Sequence, residues 1–81
     1  MPFDVKISPN PTASDFKFKI ITSAIEKTTI KILEMHGQVI KEVILSPYQK
    51  NISIGAELIA GSYLVEVKQG KNTLKTKLLK Y

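Results

Sequence analysis

The side chains that could do chemistry are few and scattered. His36 is the only histidine, set beside Gly37 in what reads as a hairpin loop. General acid–base work needs a partner that orients the ring, and none is identifiable in the sequence. The seven carboxylates, Asp4, Asp15, Glu26, Glu34, Glu42, Glu57 and Glu66, occur singly, whereas a calcium loop needs acidic oxygens clustered at alternate positions. With no cysteine, neither a thiolate metal site nor a disulfide framework is available. No phosphate-cradling glycine loop and no Gly-x-Ser-x-Gly elbow is present. The sequence therefore offers no catalytic residue, no metal site and no cofactor site, and it points away from an enzyme.

Charge narrows the partners. The net charge of +5 is carried by twelve basic residues, all of them lysine, with no tryptophan. Base-edge and phosphate recognition favour arginine's planar fork, and single-strand binders need exposed aromatic platforms. No nucleic-acid partner is expected. Lysines spread through strands more simply keep a β-surface soluble and unaggregated. No apolar run reaches the ~18 residues of a membrane span, and Met1-Pro2-Phe3-Asp4 does not read as a signal peptide.

The elements that must position these residues are strands. Asp15-Phe16-Lys17-Phe18-Lys19-Ile20 puts Phe16, Phe18 and Ile20 on one face and two lysines on the other, the period of a half-buried strand. Thr28–Ile32, Tyr63–Lys68 and Thr73–Leu78 repeat it. Val39–Leu45 alternates less cleanly, as a strand does when it carries a bulge or buries both faces at one end. Strands are expected near residues 3–7, 14–21, 28–34, 38–45, 51–54, 62–68 and 73–80. Glu42 and Glu66 fall among outward lysines and suggest cross-strand pairs. Turn chemistry separates the runs: Pro9-Asn10-Pro11, His36-Gly37, Ser46-Pro47-Tyr48, Gly55, Gly61 and Gly70-Lys71. Glu57–Ala60 reads as one helical turn or a crossing loop. Short strands with evenly spaced turns predict an all-β, immunoglobulin-like antiparallel sandwich of about seven strands, one domain over residues 1–81.

Three stretches stand out. Pro9-Asn10-Pro11 is a stiff corner that ends the first strand and re-aims the chain, with Asn10 able to bond a backbone amide. Tyr63 takes the first inward position after Gly61, with its hydroxyl expected to reach a backbone partner. The last segment, Leu74–Tyr81, reads as a strand kept soluble by Lys75, Lys77 and Lys80.

In this order the pieces resemble the type A C-terminal sorting domain of the type IX (Por) secretion system of Bacteroidetes-type bacteria. Pro9-Asn10-Pro11 is similar to its opening motif, and Ile32–Val39, around Gly37, to its central hairpin. Leu58–Val67, with Gly61 and Tyr63, is similar to its Leu-x-x-Gly-x-Tyr strand. Thr76–Lys80 is similar to its lysine-bearing end. Glu34 stands where the family more often has aspartate.

The resemblance implies a secretion signal that directs a passenger across the outer membrane. Its partners would be the type IX outer-membrane translocation machinery and a sortase-like cysteine protease. The latter removes the domain as the passenger is released or attached to anionic lipopolysaccharide. It also implies periplasmic transit, a final place at the cell surface or outside the cell, and an N-terminal passenger from which this domain is an excised piece. A partner is expected to add a strand to the terminal segment, drawn by Lys75, Lys77 and Lys80. The other reading of the residues is a stand-alone adhesive or carbohydrate-binding sandwich. Of the aromatics, only Tyr48 and Tyr81 are expected to be exposed for stacking on sugars.

Overall fold

The alternating runs form seven strands in the computed structural model, which describes residues 3–81. Met1 and Pro2, the first two residues of the expected domain, lie outside the described residues. The strands are β1 (Phe3–Ser8), β2 (Phe16–Thr22), β3 (Thr28–Glu34), β4 (Val39–Leu45), β5 (Asn51–Ile54), β6 (Gly61–Gln69) and β7 (Asn72–Lys80). They pair antiparallel in two sheets, ordered β1-β2-β5 and β4-β3-β6-β7. The protein is an all-β sandwich. The described residues include no helix long and apolar enough to cross a membrane.

The inward faces are those that alternation assigns. Phe16, Phe18 and Ile20 of β2 lie in one cluster with Ile30 and Ile32 of β3, Val65 and Val67 of β6, and Leu78 of β7. Each fully buried side chain of this size contributes about 1.5–3 kcal/mol, so β2, β3 and β6 supply much of what holds the sheets together. Of the two readings of the irregular strand β4, the bulge is the one present: Ile32 pairs with Lys41 and Leu33 with Val39, which leaves Ile40 unopposed. The segment after Gly55 is a turn and crossing loop from one sheet to the other, closed by the Leu58 N–H donating to Gly55 O at 3.0 Å.

The four-stranded sheet carries a row of alternating charge on its outer face. Glu42, Lys31, Glu66 and Lys75 stand side by side across β4, β3, β6 and β7. Lys31 lies 3.9 Å from Glu42, and Lys75 lies 3.6 Å from Glu66. The pairs expected for Glu42 and Glu66 are present. Exposed pairs of this kind contribute roughly 0.2–1 kcal/mol each; their larger effect is to favour one register.

Both ends of the sandwich are closed by a buried polar side chain. At one end Gln69, 0% exposed, accepts from the Thr22 hydroxyl at 2.9 Å and donates to the Thr28 hydroxyl at 3.0 Å. At the other end sits Lys80.

Candidate functional site

The corner Pro9-Asn10-Pro11 lies between β1 and β2, and both X–Pro bonds, Ser8–Pro9 and Asn10–Pro11, are cis. It lays Asn10 along the outer edge of β7. The Asn10 amide nitrogen donates to Lys77 O at 2.9 Å, and its carbonyl oxygen accepts the Leu79 N–H at 3.0 Å. One side chain thus meets a donor and an acceptor of a strand edge, as a neighbouring strand would. Two residues on, the backbone takes over. The Thr12 N–H donates to Leu79 O at 3.1 Å and the Tyr81 N–H to Thr12 O at 2.9 Å, a single parallel bridge between Thr12 and Lys80. Thr12 is buried, and its hydroxyl accepts the Ser14 N–H at 3.2 Å, closing the turn that starts the climb into β2.

Lys80 completes the closure from inside. Only 5% exposed, its ammonium donates to Ser14 O, to Gly55 O at 2.6 Å and to Ala56 O at 3.4 Å. An ammonium has three N–H donors and no acceptor, so three carbonyls from two loops match it in number and sign. The same group therefore ties the β1–β2 loop, the β5–β6 loop and the end of β7 together. Gly55 is required where it stands. Its φ is +103°, and an added Cβ would lie 2.9 Å from the Phe16 ring.

Gly61, Tyr63 and the Gly37 turn lie at this end, whereas Lys75 lies mid-strand opposite Glu66. Gly61, with φ +153°, opens β6 directly opposite Lys80. Tyr63, opposite Leu78, is buried and donates its hydroxyl to Ile59 O at 2.6 Å, the backbone bond the sequence leads one to expect. Glu34 pairs with Tyr63 across β3 and β6, so the β3–β4 turn projects beyond the same end. That turn closes by the Gly37 N–H to Glu34 O at 2.9 Å, with Gly37 at φ +95°. The Glu34 carboxylate lies 3.4 Å from His36 Nδ1 across an exposed turn. Lys41 bonds Glu57 at 2.8 Å. That hydrogen bond, then one from the Glu57 backbone, with smaller shares from the Lys41 and Lys80 charges, holds the Glu57 carboxyl below the usual carboxylate range. Its contribution is present above the ordinary carboxylate pKa and is lost as pH falls through the lowered one.

Two expectations are corrected by this geometry. Lys80 is not a solvent-facing lysine available to a partner, because it shares the inward side of β7 with Leu74 and Leu78. Lys75 and Lys77 do face solvent, but Lys75 is engaged with Glu66. Nor is the terminal strand open along its whole edge: from Lys77 O to Tyr81 N the outward backbone groups are taken by Asn10 and Thr12. By the alternation of an antiparallel strand, the open length is that around Thr73 and Lys75. A cleft of about 340 Å³ adjoins it, lined by Val5, Ile7, Asn10, Leu74, Lys75 and Thr76.

Sequence reasoning missed Ser14 and Ala56, whose contribution is a carbonyl and so leaves no trace in residue type, and it read Gly55 as a turn without its bond to Lys80. It also missed Thr12. The exposed aromatics are as expected, Tyr48 at 81% and Tyr81 at 70%. Tyr48 follows the end of β4 that pairs with Thr28, near Gln69, whereas Tyr81 follows Lys80 at the opposite end. They form no common platform. Among the described residues no group of histidine and acidic side chains could hold a metal ion.

Compared with known proteins, residues 6–81 match a family described as the secretion system C-terminal sorting domain. No curated protein matches the chain.

Proposed function

Given that the chain belongs to the family of secretion system C-terminal sorting domains, we propose that the export apparatus reads it as a folded shape, with the Lys80 end as the part that must be correctly closed. Family membership makes the chain a C-terminal sorting signal for type IX secretion, carried by a protein bound for the cell surface or the medium. The observation that carries the proposal is convergence. Asn10, Gly61, Tyr63 and Lys80, drawn from three separate motifs, meet at one end of the sandwich.

Strand direction supports the same reading. Phe3 pairs with Thr22, which bonds Gln69, so a passenger joined ahead of β1 would sit at the Gln69 end and leave the Lys80 end clear. In this reading the domain passes through the periplasm with its passenger. A partner strand adds along the open part of β7. A sortase-like cysteine protease then cuts ahead of the domain, and the passenger is released or attached to anionic lipopolysaccharide.

The test is export of a fluorescent reporter, placed behind a signal peptide and ahead of residues 1–81, in a type IX-competent bacterium. The reading expects reporter at the surface or in the medium for the whole chain. It expects periplasmic retention when residues 75–81 are deleted. Retention of both, while an established sorting domain exports the same reporter, would refute it.

A further inference from the structure

The outer faces of the two sheets carry opposite charge designs. On the four-stranded sheet each lysine of the central row stands beside a glutamate. On the three-stranded sheet Lys6 of β1 stands directly opposite Lys19 of β2, and Lys17 follows two residues away on the same face. Like charges placed opposite one another destabilise a sheet, yet here the lysines are exposed at the centre of the face, with its two acids, Asp4 and Asp15, only at the margins. Among the described residues no carboxylate lies within ion-pair distance of these three lysines. The acids at the margins have other partners: Asp4 accepts the Val5 N–H at 2.8 Å, and Asp15 accepts from the Ser14 hydroxyl at 3.5 Å.

The rows are completed by neutral donors. Lys6, Lys19 and Asn51 form one row across β1, β2 and β5, and Ser8, Lys17 and Ser53 form the next. Together they line a shallow cleft of about 370 Å³. From this we infer that the outer face of the three-stranded sheet is a docking surface for an extended acidic polypeptide. The inference rests on the sorting reading for its biological setting, and it names the chemistry of the partner that reading leaves open.

Three observations choose this occupant. First, the centre of the face is positive: Lys6, Lys17 and Lys19 adjoin there, while Asp4 and Asp15 stand on the same side at its margins beyond ion-pair distance, so the centre's complement is negative. Second, alternate residues of a strand are about 6.8 Å apart. Lys17 and Lys19 have that spacing, as do Asn51 and Ser53, so a strand with carboxylates at every second position can lie along them in register. Third, no exposed aromatic belongs to this face, so a sugar ring finds nothing to stack on. Lysine point charges without arginine forks suit carboxylates approached from several directions. The surface lies on the opposite sheet from Lys75 and Lys77, so the two lysine groups can be varied independently.

The test titrates the whole chain with a twelve-residue peptide of alternating glutamate and threonine, followed by amide NMR at low and high salt. Shifts should concentrate at residues 6, 8, 17, 19, 51 and 53 and fade with salt. The Lys6→Gln/Lys17→Gln/Lys19→Gln variant should bind at least about tenfold more weakly, and Lys75→Gln/Lys77→Gln should bind within about twofold of wild type. Equal losses in the two variants, or shifts spread over both sheets, would overturn the inference. Tighter binding of inorganic tripolyphosphate at the same residues would replace the polypeptide with a phosphate-bearing partner and overturn the assignment. The reporter assay separates the two ideas. Failure of the wild-type chain to export refutes the sorting reading and leaves the binding result standing. Unimpaired export by the triple variant, with wild type exported, refutes the docking role.

Discussion

At Lys80 the decisive fact is stoichiometry. Three donors face three carbonyls, with the Lys80 side chain buried and the bond to Gly55 out of reach of water. Truncation to alanine removes the donors and leaves the buried Gly55 carbonyl without a partner, and an unsatisfied buried group costs more than the bond itself contributes. Lys80→Ala should therefore lower stability by about 2–3 kcal/mol. Lys75→Ala, which removes only an exposed pair, should cost about 0–1 kcal/mol. Urea unfolding of the two variants measures the difference, and equal midpoints would mean that Lys80 closes nothing. The burial of Lys80 was legible in principle. Leu74, Thr76, Leu78 and Lys80 share one parity, and the apolar members name the face. Lysine's usual preference for solvent overrode that pattern. Gln69 follows Tyr63, Val65 and Val67 in the same way, and it too was hidden by residue type.

At the level of elements, the loops matter more than their composition suggests. The β5–β6 loop supplies two of the three carbonyls that receive Lys80, and Gly55 sets its course. Gly55→Ala combines a left-handed backbone with a Cβ driven into Phe16, whereas Gly37→Ala has the backbone cost alone, since nothing lies near its Cβ. Gly37→Ala should cost about 1–2 kcal/mol, and Gly55→Ala clearly more, as read by thermal unfolding of the pair. If Gly55→Ala proved the milder, the loop would not be fixed as described. The strands themselves were legible because alternation survives in six of seven, and even the bulge showed as an irregular β4. What alternation does not encode is which loop crosses to which strand. The clamp of Asn10 and Thr12 on β7 joins positions almost seventy residues apart, and no local pattern announces it.

For the whole molecule, the clamp fixes the last stretch of the edge strand β7. The last residues of a domain usually fray, yet Leu79 and Tyr81 are held by a loop from near the start of the described chain. Amide hydrogen exchange should find the Leu79 and Tyr81 amides protected, and the amides of Thr73 and Lys75, on the open part of the same edge, exchanging faster. Asn10→Ala should speed exchange at Leu79 most. A uniform rate along the β7 edge would deny the clamp. Stretches far apart in the chain, Asn10 to Thr12, Gly55 and Lys80, are thus parts of one closure.

The measurement that bears most directly on that claim is export of the same reporter by Asn10→Ala, Lys80→Ala and the double variant. If the closed Lys80 end is what the apparatus reads, each single variant retains reporter in the periplasm. The double variant then retains little more than the worse single one, because both open the same latch. Export at wild-type efficiency by both single variants would contradict it, and would mean that neither these residues nor the closure they make is needed for export.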